Sequence, residues 1–339
     1  MSEDRVTALH GAGGEVMGRL LAERVLPRLP RGSAGRIGLD ALDDGATVDV
    51  PSGAELVLTT DSHVVKPVFF PGGDIGRLAA AGTLNDLAVM GARPLALTLA
   101  AILEEGFPIA DLERILDSFA TALEEVGAAV VCGDTKVMSP GEIDGIALNT
   151  TGVGVAERAI SDAEIAIGDR ILLSGSIGDH GMALLAARED FRLETELASD
   201  VAPIWPMIDA ALRVGGIRAM KDPTRGGLAA ALNEMAEKAA VSLELDEAAI
   251  PVLDAVAGLS EILGISPLEV ANEGKAILIV DPTRADAVLD ALRGHPLGRR
   301  AAIVGTVTDE YPGRVILGTA VGGRRFLDMP LGDPVPRIC

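Results

Sequence analysis

The sequence predicts a mixed α/β (α+β) protein with two domains and an extended C-terminal tail. Its 339 residues exceed the about 100–200 residues of a typical domain. Hydrophobic residues make up 48% of the chain, which is enough to build sizeable cores. Helical and strand patterns alternate in both halves, as is typical of mixed architectures. We expect a glycine-rich arm over 1–35, domains over 36–160 and 161–328, and a mobile tail over 329–339.

In the first half, a helical pattern over 75–89 follows a plausible N-cap at Asp74. The clearest helix covers 111–126, where apolar residues recur at three- and four-residue spacing. The apolar run 128–132 predicts a short buried strand, in which Cys132 has a packing role. That strand would place the polar residues 133–136 at its C-terminal end.

The second half repeats this organisation, with a domain boundary expected near 155–169. Strands are predicted over 171–174, 276–280, 301–307 and 315–317, and helices over 183–188, 228–240 and 284–292. After residue 328 the pattern decays. Pro330, Pro334 and Pro336 block helix and central-strand roles there, which predicts an extended tail.

Composition and charge exclude several classes of function. The formal charge is -21, which would repel nucleic-acid phosphates and anionic lipid, so we expect neither as a partner. The longest apolar runs fall far short of the ~18 residues that span a bilayer. The first residues lack the pattern of a secretory signal, and the sequence therefore predicts a cytoplasmic protein.

Several motifs suggest nucleotide chemistry without a standard nucleotide-binding signature. The glycines Gly11, Gly13 and Gly14 resemble a nucleotide loop, although a glycine cluster alone is more often a turn. The P-loop and dinucleotide patterns are both absent. The four histidines lack zinc spacing and none accompanies a nucleophile elbow, so zinc and Ser-His-Asp hydrolysis are excluded.

Carboxylates recur beside Gly, Thr or Asn at positions that suggest strand or helix ends. A Mg²⁺-nucleotide site without a P-loop needs carboxylates from several segments, since Mg²⁺ takes one or two of them plus waters and phosphate oxygens. Each carboxylate taken alone is more often a cap or a surface charge. The stretches in question surround Asp43–Asp44, Asp61, Asn85–Asp86 and Asp134.

Two glycine-rich segments precede helical patterns and suit anion binding. Gly73 and Asp74 precede the first, and Arg225 with Gly226 and Gly227 precedes the second. Free amides at a helix N-terminus attract anions, and a guanidinium suits a phosphate. Ordinary helix capping is the alternative for both segments.

Cys339, the last residue of the sequence, demands its own account because only two cysteines occur. It is not a prenylation box, which needs Cys four residues from the end. A thiol on a mobile, proline-bearing tail is suited to carry a covalent group between an internal site and a second protein.

These segments resemble the hydrogenase maturation carbamoyl dehydratases, the HypE family of the PurM-like (AIR synthase-related) superfamily, over most of the chain. The matching stretches are 9–14, 43–46, 59–65, 69–76, 82–86, 133–137, 173–175, 178–181, 222–227, 271–275 and the terminal 336–339, of which Phe-Phe-Pro-Gly-Gly-Asp and Pro-Arg-Ile-Cys are the most specific.

The resemblance implies a PurM-like two-domain architecture whose N-terminal sheet forms a homodimer. It implies that a carbamoyltransferase loads a carboxamide onto the Cys339 sulfur and that this chain dehydrates it to a thiocyanate with ATP and Mg²⁺. The cyano group would then pass to the iron of a scaffold complex that builds the NiFe centre.

It also implies roles for individual residues, several of which lie in the motifs above. The implied catalytic residues are Cys339, Glu273 as the base and Lys136, which would neutralise developing charge. The implied nucleotide-binding residues are Gly11, Gly13, Gly14, Gly73, Asp74, Asn85, Gly133, Thr135, Arg225, Gly226 and Gly227. The implied metal ligands are Asp44, Asp61, Asp86 and Asp134.

Two alternatives remain open from the sequence. One is another PurM-like ATP-dependent enzyme, such as selenophosphate synthetase or thiamine phosphate kinase; the former usually carries a reactive Cys or selenocysteine near its glycine loop, and that region here has neither. The other is a non-catalytic scaffold whose tail is only a docking peptide.

Overall fold

The computed structural model describes residues 14–20, 22–23, 36–37, 41, 43, 46–49, 53–189, 197–332 and 334–335. Its helices are Gly14–Leu20 (α1), Ile75–Val89 (α2), Ile109–Glu124 (α3), Asp179–Arg188 (α4), Trp205–Leu212 (α5), Gly227–Ala239 (α6), Asp254–Leu263 (α7) and Ala285–Arg293 (α8). Its strands are Ala46–Asp49 (β1), Glu55–His63 (β2), Phe69–Phe70 (β3), Gly73–Asp74 (β4), Arg93–Glu104 (β5), Ala129–Met138 (β6), Ile146–Ala156 (β7), Arg170–Leu173 (β8), Ile217–Lys221 (β9), Ser242–Asp246 (β10), Ile277–Val280 (β11), Ala302–Thr308 (β12), Arg314–Gly318 (β13) and Arg324–Phe326 (β14).

The N-terminal half forms a five-stranded sheet in the order β1-β2-β7-β5-β6. Its pairs are antiparallel except for β5 and β6, which run parallel. Because α3 connects these two strands, they form the only parallel pair of this sheet within the described residues. Helices α2 and α3 cover one face, where Leu78, Leu97 and Phe119 join a common core.

Helix α2 begins where a side chain caps it and is buried nearly throughout. The Asp74 carboxylate accepts hydrogen bonds from the Gly76 and Arg77 amides at 2.8 and 3.1 Å, which confirms the predicted N-cap. One side of α2 packs on the N-terminal sheet, whereas Ala88 and Val89 at its C-terminal end join a core of the second half.

The second half forms a seven-stranded mixed sheet in the order β14-β13-β10-β12-β8-β11-β9. Helices α6 and α8 pack on opposite sides, because Leu232 of α6 and Val288 of α8 belong to two separate cores on either side of β8 and β11. A sheet covered by helices on one face in the first half, and on both faces in the second, confirms the mixed α/β prediction.

The two halves share a hydrophobic core instead of closing separately. The core under the N-terminal sheet contains Leu184, Val201, Ala271 and Val335, all of which come from the second half of the chain. Burial of such aliphatic side chains stabilises the fold by about 1.5–3 kcal/mol each. The contact between the halves is therefore hydrophobic as well as polar.

The predicted buried strand over 128–132 is wrong in its length and its burial. Strand β6 continues to Met138 and its side chains are exposed over most of its length. Cys132 is an exposed free thiol, not a packing residue. The apolar run Ala-Val-Val-Cys suggested a core strand, but β6 lies at the sheet edge with no neighbour beyond it among the described residues.

The described part of the tail is packed. Leu327 belongs to the core of the second half, and its carbonyl accepts a hydrogen bond from Asn233 at 2.9 Å. The Pro330 carbonyl lies against Gly14 of α1, where a Cβ would come within 2.1 Å of it. Val335 has 0% exposure in the core under the N-terminal sheet. The tail thus crosses from one half to the other.

Within the described part of the chain, no helix combines the length and apolar character needed to cross a bilayer.

Candidate active site

A cleft of about 210 Å³ lies between the two halves of the chain. Its walls come from β2, α2, the loop before α6 and the loop before β11, and polar side chains dominate them. The lining residues are Thr59, Thr60, Asp61, His63, Gly82, Asp86, Asp222, Thr224, Arg225 and Glu273.

Strand β2 directs its polar side chains into the cleft by simple alternation. Thr59, Asp61 and His63 are two residues apart, so all three face α2. The Thr59 hydroxyl donates to Asp86 of α2 at 2.6 Å, which fixes that carboxylate against the strand. Gly82 leaves room here, because a Cβ at this position would meet the His63 ring at 2.8 Å.

The loop before α6 brings cationic and acidic groups to the opposite wall. Asp222 and Arg225 both line the cleft. Gly226 and Gly227 follow with φ of +75° and +60°, and a Cβ at Gly227 would lie 2.7 Å from the Val270 backbone. These glycines therefore permit the turn and the close packing that place Arg225. The free amide predicted for Gly227 is wrong, because it donates to the Thr224 carbonyl at 2.8 Å, while that of Gly226 stays a prediction.

Glu273 is the most unusual group in the cleft. It is 3% exposed, and its Oε1 atom has no hydrogen-bond partner. Burial raises the pKa of this carboxyl well above its ordinary value of 4.5, and the charges of Asp222, Asp200 and Asp61 raise it further, against a lowering by Arg225. A buried, unpaired carboxyl with a raised pKa is a candidate for accepting a proton during a reaction.

His63 is a second buried group, and sequence reasoning did not select it. It is 4% exposed, and neither ring nitrogen has a hydrogen-bond partner. Burial lowers the pKa of its imidazole, as does Arg225, while Asp61 raises it. The signal in the sequence was the spacing of Thr59, Asp61 and His63, which puts three polar side chains on one face of a strand.

Asn85 lies elsewhere than expected for a phosphate ligand. Its side-chain nitrogen donates to the carbonyls of Ala202 and Glu273 at 3.1 and 3.0 Å, and its oxygen accepts from the Ile204 amide at 2.9 Å. These bonds use the amide group to hold backbone behind the cleft. Gly73 and Asp74 likewise form the packed strand β4, where the Asp74 carboxylate itself occupies amides in the first turn of α2.

Lys136 is not brought to the cleft within one chain. It pairs with Ile102 of β5, whereas Asp61 pairs with Thr150 of β7, which pairs with Leu99 of β5. Leu99 and Ile102 differ by three positions, so Lys136 and Asp61 lie on opposite faces of the sheet. The two strands are also three spacings apart, or ~14 Å.

Gly133, Asp134 and Thr135 border a different cleft of about 370 Å³ between β5, β6 and α3, together with Leu99, Ala101, Leu103, Leu112, Leu116 and Val130. Its wall is mostly aliphatic, unlike the polar cleft that holds Asp61 and Glu273. The structure therefore gathers Asp61, Asp86, Arg225 and Glu273 but separates them from the β6 residues. Gly11, Gly13, Asp44 and Cys339 lie outside the described residues, and Gly14 lies beside Pro330.

The cleft fits a magnesium nucleotide in part. Asp61 and Asp86 supply two carboxylates on one wall, and Arg225 supplies a guanidinium for phosphate on another. Among the described residues, no three His, Cys, Asp or Glu side chains form a ready-made metal centre. Mg²⁺ binds few protein carboxylates and completes its shell with phosphate oxygens and water, so Asp61 and Asp86 would be sufficient protein ligands.

Comparison with known families covers most of the chain. Residues 42–156 match the family described as AIR synthase related protein, N-terminal domain, and residues 166–318 match its C-terminal domain. The chain is 46% identical over 338 residues to carbamoyl dehydratase HypE of Cupriavidus necator, with 99% of this chain and 95% of that protein covered.

Solved structures agree with the sequence comparison. A HypE–HypF complex contains a chain that matches with a TM-score of 0.85 and 41% identity, covering 91% of this chain and 99% of that one. A HypE in complex with ATP matches with a TM-score of 0.82 and 40% identity, covering 99% and 100%.

Proposed function

The chain belongs to the HypE family of carbamoyl dehydratases, and on that basis we propose that it converts a carboxamide on its own Cys339 into a thiocyanate with ATP. The observation that carries this proposal is the cleft itself. It combines two carboxylates, a guanidinium and the buried Glu273 carboxyl, whose Oε1 atom has no hydrogen-bond partner. The alternatives of another PurM-like kinase or synthetase, or of a scaffold with a docking tail, are not favoured.

The proposed reaction has two steps. The carboxamide oxygen attacks the terminal phosphorus of ATP, the bond between that phosphorus and the ADP oxygen breaks, and the nitrogen loses one proton. This gives an O-phosphorylated thiocarbonimidate group, S–C(OPO₃)=NH, with ADP as leaving group. In the second step the nitrogen loses its remaining proton, the C–O bond breaks and phosphate departs, leaving S–C≡N. Phosphorylation is needed because an amide oxygen is otherwise a poor leaving group.

Glu273 is the proposed base for the nitrogen protons, because it lines the cleft and its carboxyl has an oxygen, Oε1, without a hydrogen-bond partner. Arg225 binds phosphate oxygens, and Asp61 and Asp86 would hold Mg²⁺ with Asp44. The ion, when bound, neutralises charge on the phosphates. Gly11, Gly13, Gly14, Gly226 and Gly227 stay proposed contacts of the nucleotide through their backbones.

The tail supports delivery of Cys339 to this cleft. Val335 belongs to the same buried core as Val65 and Ala271, each of which lies two positions along the chain from a cleft residue, His63 and Glu273 respectively. Cys339 lies four positions after Val335, a reach of at most ~14 Å. An anchored Val335 would thus limit how far the thiol can lie from this core.

Intact-mass spectrometry of the whole chain tests the proposal. After loading by the carbamoyltransferase, addition of ATP should remove about one water mass (~18 Da) from the Cys339 adduct, because O-phosphorylation and elimination together expel that oxygen. Glu273→Gln should bind ATP and retain the carboxamide. A wild-type adduct that keeps its mass with ATP bound would refute the proposed dehydration.

We also propose a homodimer in which a second subunit covers β6. The edge of β6 is unpaired among the described residues, and Val130, Val131 and Val137 are 49%, 65% and 62% exposed. An exposed apolar edge strand is a ready surface for strand pairing. Measurement of the mass in solution by light scattering tests this, and Val131→Lys should shift the protein toward monomer.

The dimer also gives a place for Lys136 and Asp134, which lie on this uncovered strand and away from their own cleft. We propose that they act in the cleft of the second subunit. A mixed dimer combines one Lys136→Ala chain with one Glu273→Gln chain, each of which is expected to be inactive in its own homodimer. If Lys136 acts in the cleft of the other subunit, one of the two clefts of the mixed dimer holds both Lys136 and Glu273. About half of the wild-type dehydration per mixed dimer should return, whereas action within one chain predicts none.

The remaining partners follow from the same family membership. A relative forms a complex with a protein named HypF, which supports a protein partner for this chain; we propose that it is the carbamoyltransferase. An iron-carrying scaffold complex would accept the cyano group, and both encounters would take place in the cytoplasm.

A further inference from the structure

The geometry points to Asp200 and Asn85 as a two-sided clamp that positions Glu273, and we propose that both act as positioning residues for the dehydration. The chemical part of this inference rests on the proposed function. The structural part rests on the hydrogen bonds alone.

The first side of the clamp is Asp200. One of its carboxylate oxygens accepts from the Glu273 amide at 3.1 Å, and the other accepts from the Gly274 amide at 3.2 Å. The side chain is 3% exposed, and the ammonium of Lys275 lies 3.2 Å from it. Hydrogen bonds that involve a buried charge are about twice as strong as neutral ones.

The second side is Asn85, which reaches the same residue from α2. Its amide nitrogen donates to the Glu273 carbonyl at 3.0 Å. The Ala202 amide donates to the same carbonyl at 3.3 Å. Both polar backbone groups of Glu273 are thus held by side chains from separate segments, which fixes the peptide from which the free carboxyl projects.

The two sides belong to one structure because the segment 197–204 connects them. Asp200 lies on this segment, and Asn85 binds it at Ala202 and Ile204. Arg77 of α2 donates to the Val201 carbonyl at 3.0 Å. Gly274 makes the close approach possible, since a Cβ there would lie 2.0 Å from the Asp200 carbonyl oxygen.

The clamp explains how a loop can hold a base with the accuracy that proton transfer needs. A displacement of about 1 Å at a reacting group can cost ~100-fold in rate. Since neither Asp200 nor Asn85 lines the cleft, both act through Glu273 and not on the substrate.

Single-turnover dehydration of carbamoylated Cys339, at saturating ATP, measures the chemical effect. We expect Asp200→Ala to slow it about 10- to 100-fold and Asp200→Asn, which keeps the size but loses the charge, to slow it less. Affinity for ATP should change by less than about threefold. The matched control is Asp209→Asn, because Asp209 forms an exposed pair with Arg213 on α5 and should leave the rate unchanged.

Combining the Asp200 substitution with Glu273→Gln in one chain distinguishes a positioning role from general damage to the fold. If Asp200 acts through Glu273, adding Asp200→Ala to Glu273→Gln should not reduce the residual rate further. A loss that multiplies in the double variant, or a wild-type rate in Asp200→Ala, would overturn the proposal. Should Asp200→Ala fail to fold, Asp200→Asn takes its place in the same comparison.

Hydrogen exchange tests the clamp without any turnover. In Asp200→Ala, the peptide containing Glu273 and Gly274 should exchange faster than in wild type, whereas Asp209→Asn should leave it unchanged. Unchanged exchange would overturn the clamp even if dehydration is observed. Absence of thiocyanate from wild type, with exchange altered in Asp200→Ala, would instead count against the proposed function and leave the clamp standing.

Discussion

The burial of Glu273 makes the proposed reaction depend on pH in a defined direction. The carboxyl must be ionised to accept a proton, and its pKa lies well above 4.5 because burial and three nearby acidic groups oppose its charge. The dehydration rate should therefore rise with pH, and this rise should occur above the pH range in which an ordinary glutamate titrates. Single-turnover rates measured across pH test this. If the residual rate of Glu273→Gln rises with pH in the same range, another group causes the pH dependence.

Asp162 gives a prediction about stability and pH. Burial raises its pKa to about 7, the neighbouring Asp43 carboxyl adds to this, and Lys238 opposes it. Between about pH 4 and pH 7, the folded state therefore keeps a proton on Asp162 that the unfolded state has released. Because of this difference, the free energy of unfolding falls as pH rises from about 4 to about 7. Asp162→Asn should be more stable than wild type by about 1–3 kcal/mol at pH 8, and the difference should shrink at pH 5.

Urea denaturation at the two pH values checks this. The Lys238 ammonium lies 2.7 Å from both Asp43 and Asp162, so Asp43 remains as its partner in the variant. A stability difference that is equal at both pH values would show that Asp162 does not carry the buried proton.

At the scale of elements, the start of α2 distinguishes a cap from a nucleotide contact. Asp74 binds two amides of the first turn, so Asp74→Ala should destabilise the protein by about 1 kcal/mol, whereas Asp74→Ser should keep most of the stability. Chemical denaturation measures this, with Asp117→Ala on the exposed side of α3 as the control. A large loss of ATP affinity in Asp74→Ser at unchanged stability would favour the nucleotide role.

Helices were easier to predict from the sequence than the strands of the N-terminal sheet. Helix α3 lies within two residues of its predicted bounds because its apolar residues repeat at helical spacing. Strand β7 was not predicted, because its buried positions include Thr150, Gly152 and Gly154 and so do not form an apolar pattern. Glycine is required there by the close approach of α2, as a Cβ at Gly152 would lie 2.7 Å from Thr83.

The candidate site was predictable where one motif carries one side chain to the cleft, as for Asp61, Asp86, Arg225 and Glu273. It was not predictable where the order of the strands in the sheet decides whether a side chain reaches the cleft. Lys136 lies in a motif as clear as the others, but register puts it on the far face of an edge strand. Spacing along the chain carries no information about how many strands separate two segments.

For the whole molecule, the tail yields the sharpest prediction. Val335 is fully buried in a core of the other half, so Val335→Ala should lose packing and weaken the hold on the tail by about 1–3 kcal/mol. Dehydration of Cys339 should slow while ATP affinity stays unchanged, because the variant alters delivery and not the cleft. Val321→Ala, at a side chain that is 95% exposed, is the matched control. Equal rates in both variants would show that Val335 does not guide the thiol.

The shared core also bears on how the chain can be divided. A fragment ending near residue 156 would lack Leu184, Val201, Ala271 and Val335. It would therefore expose the part of the hydrophobic core that those side chains cover. Neither fragment should be soluble and ordered when produced by itself, yet the two produced together in one cell should reassemble. Split reporters or separately labelled halves for spectroscopy would have to be prepared by co-expression, with the cut placed in the connection between β7 and β8.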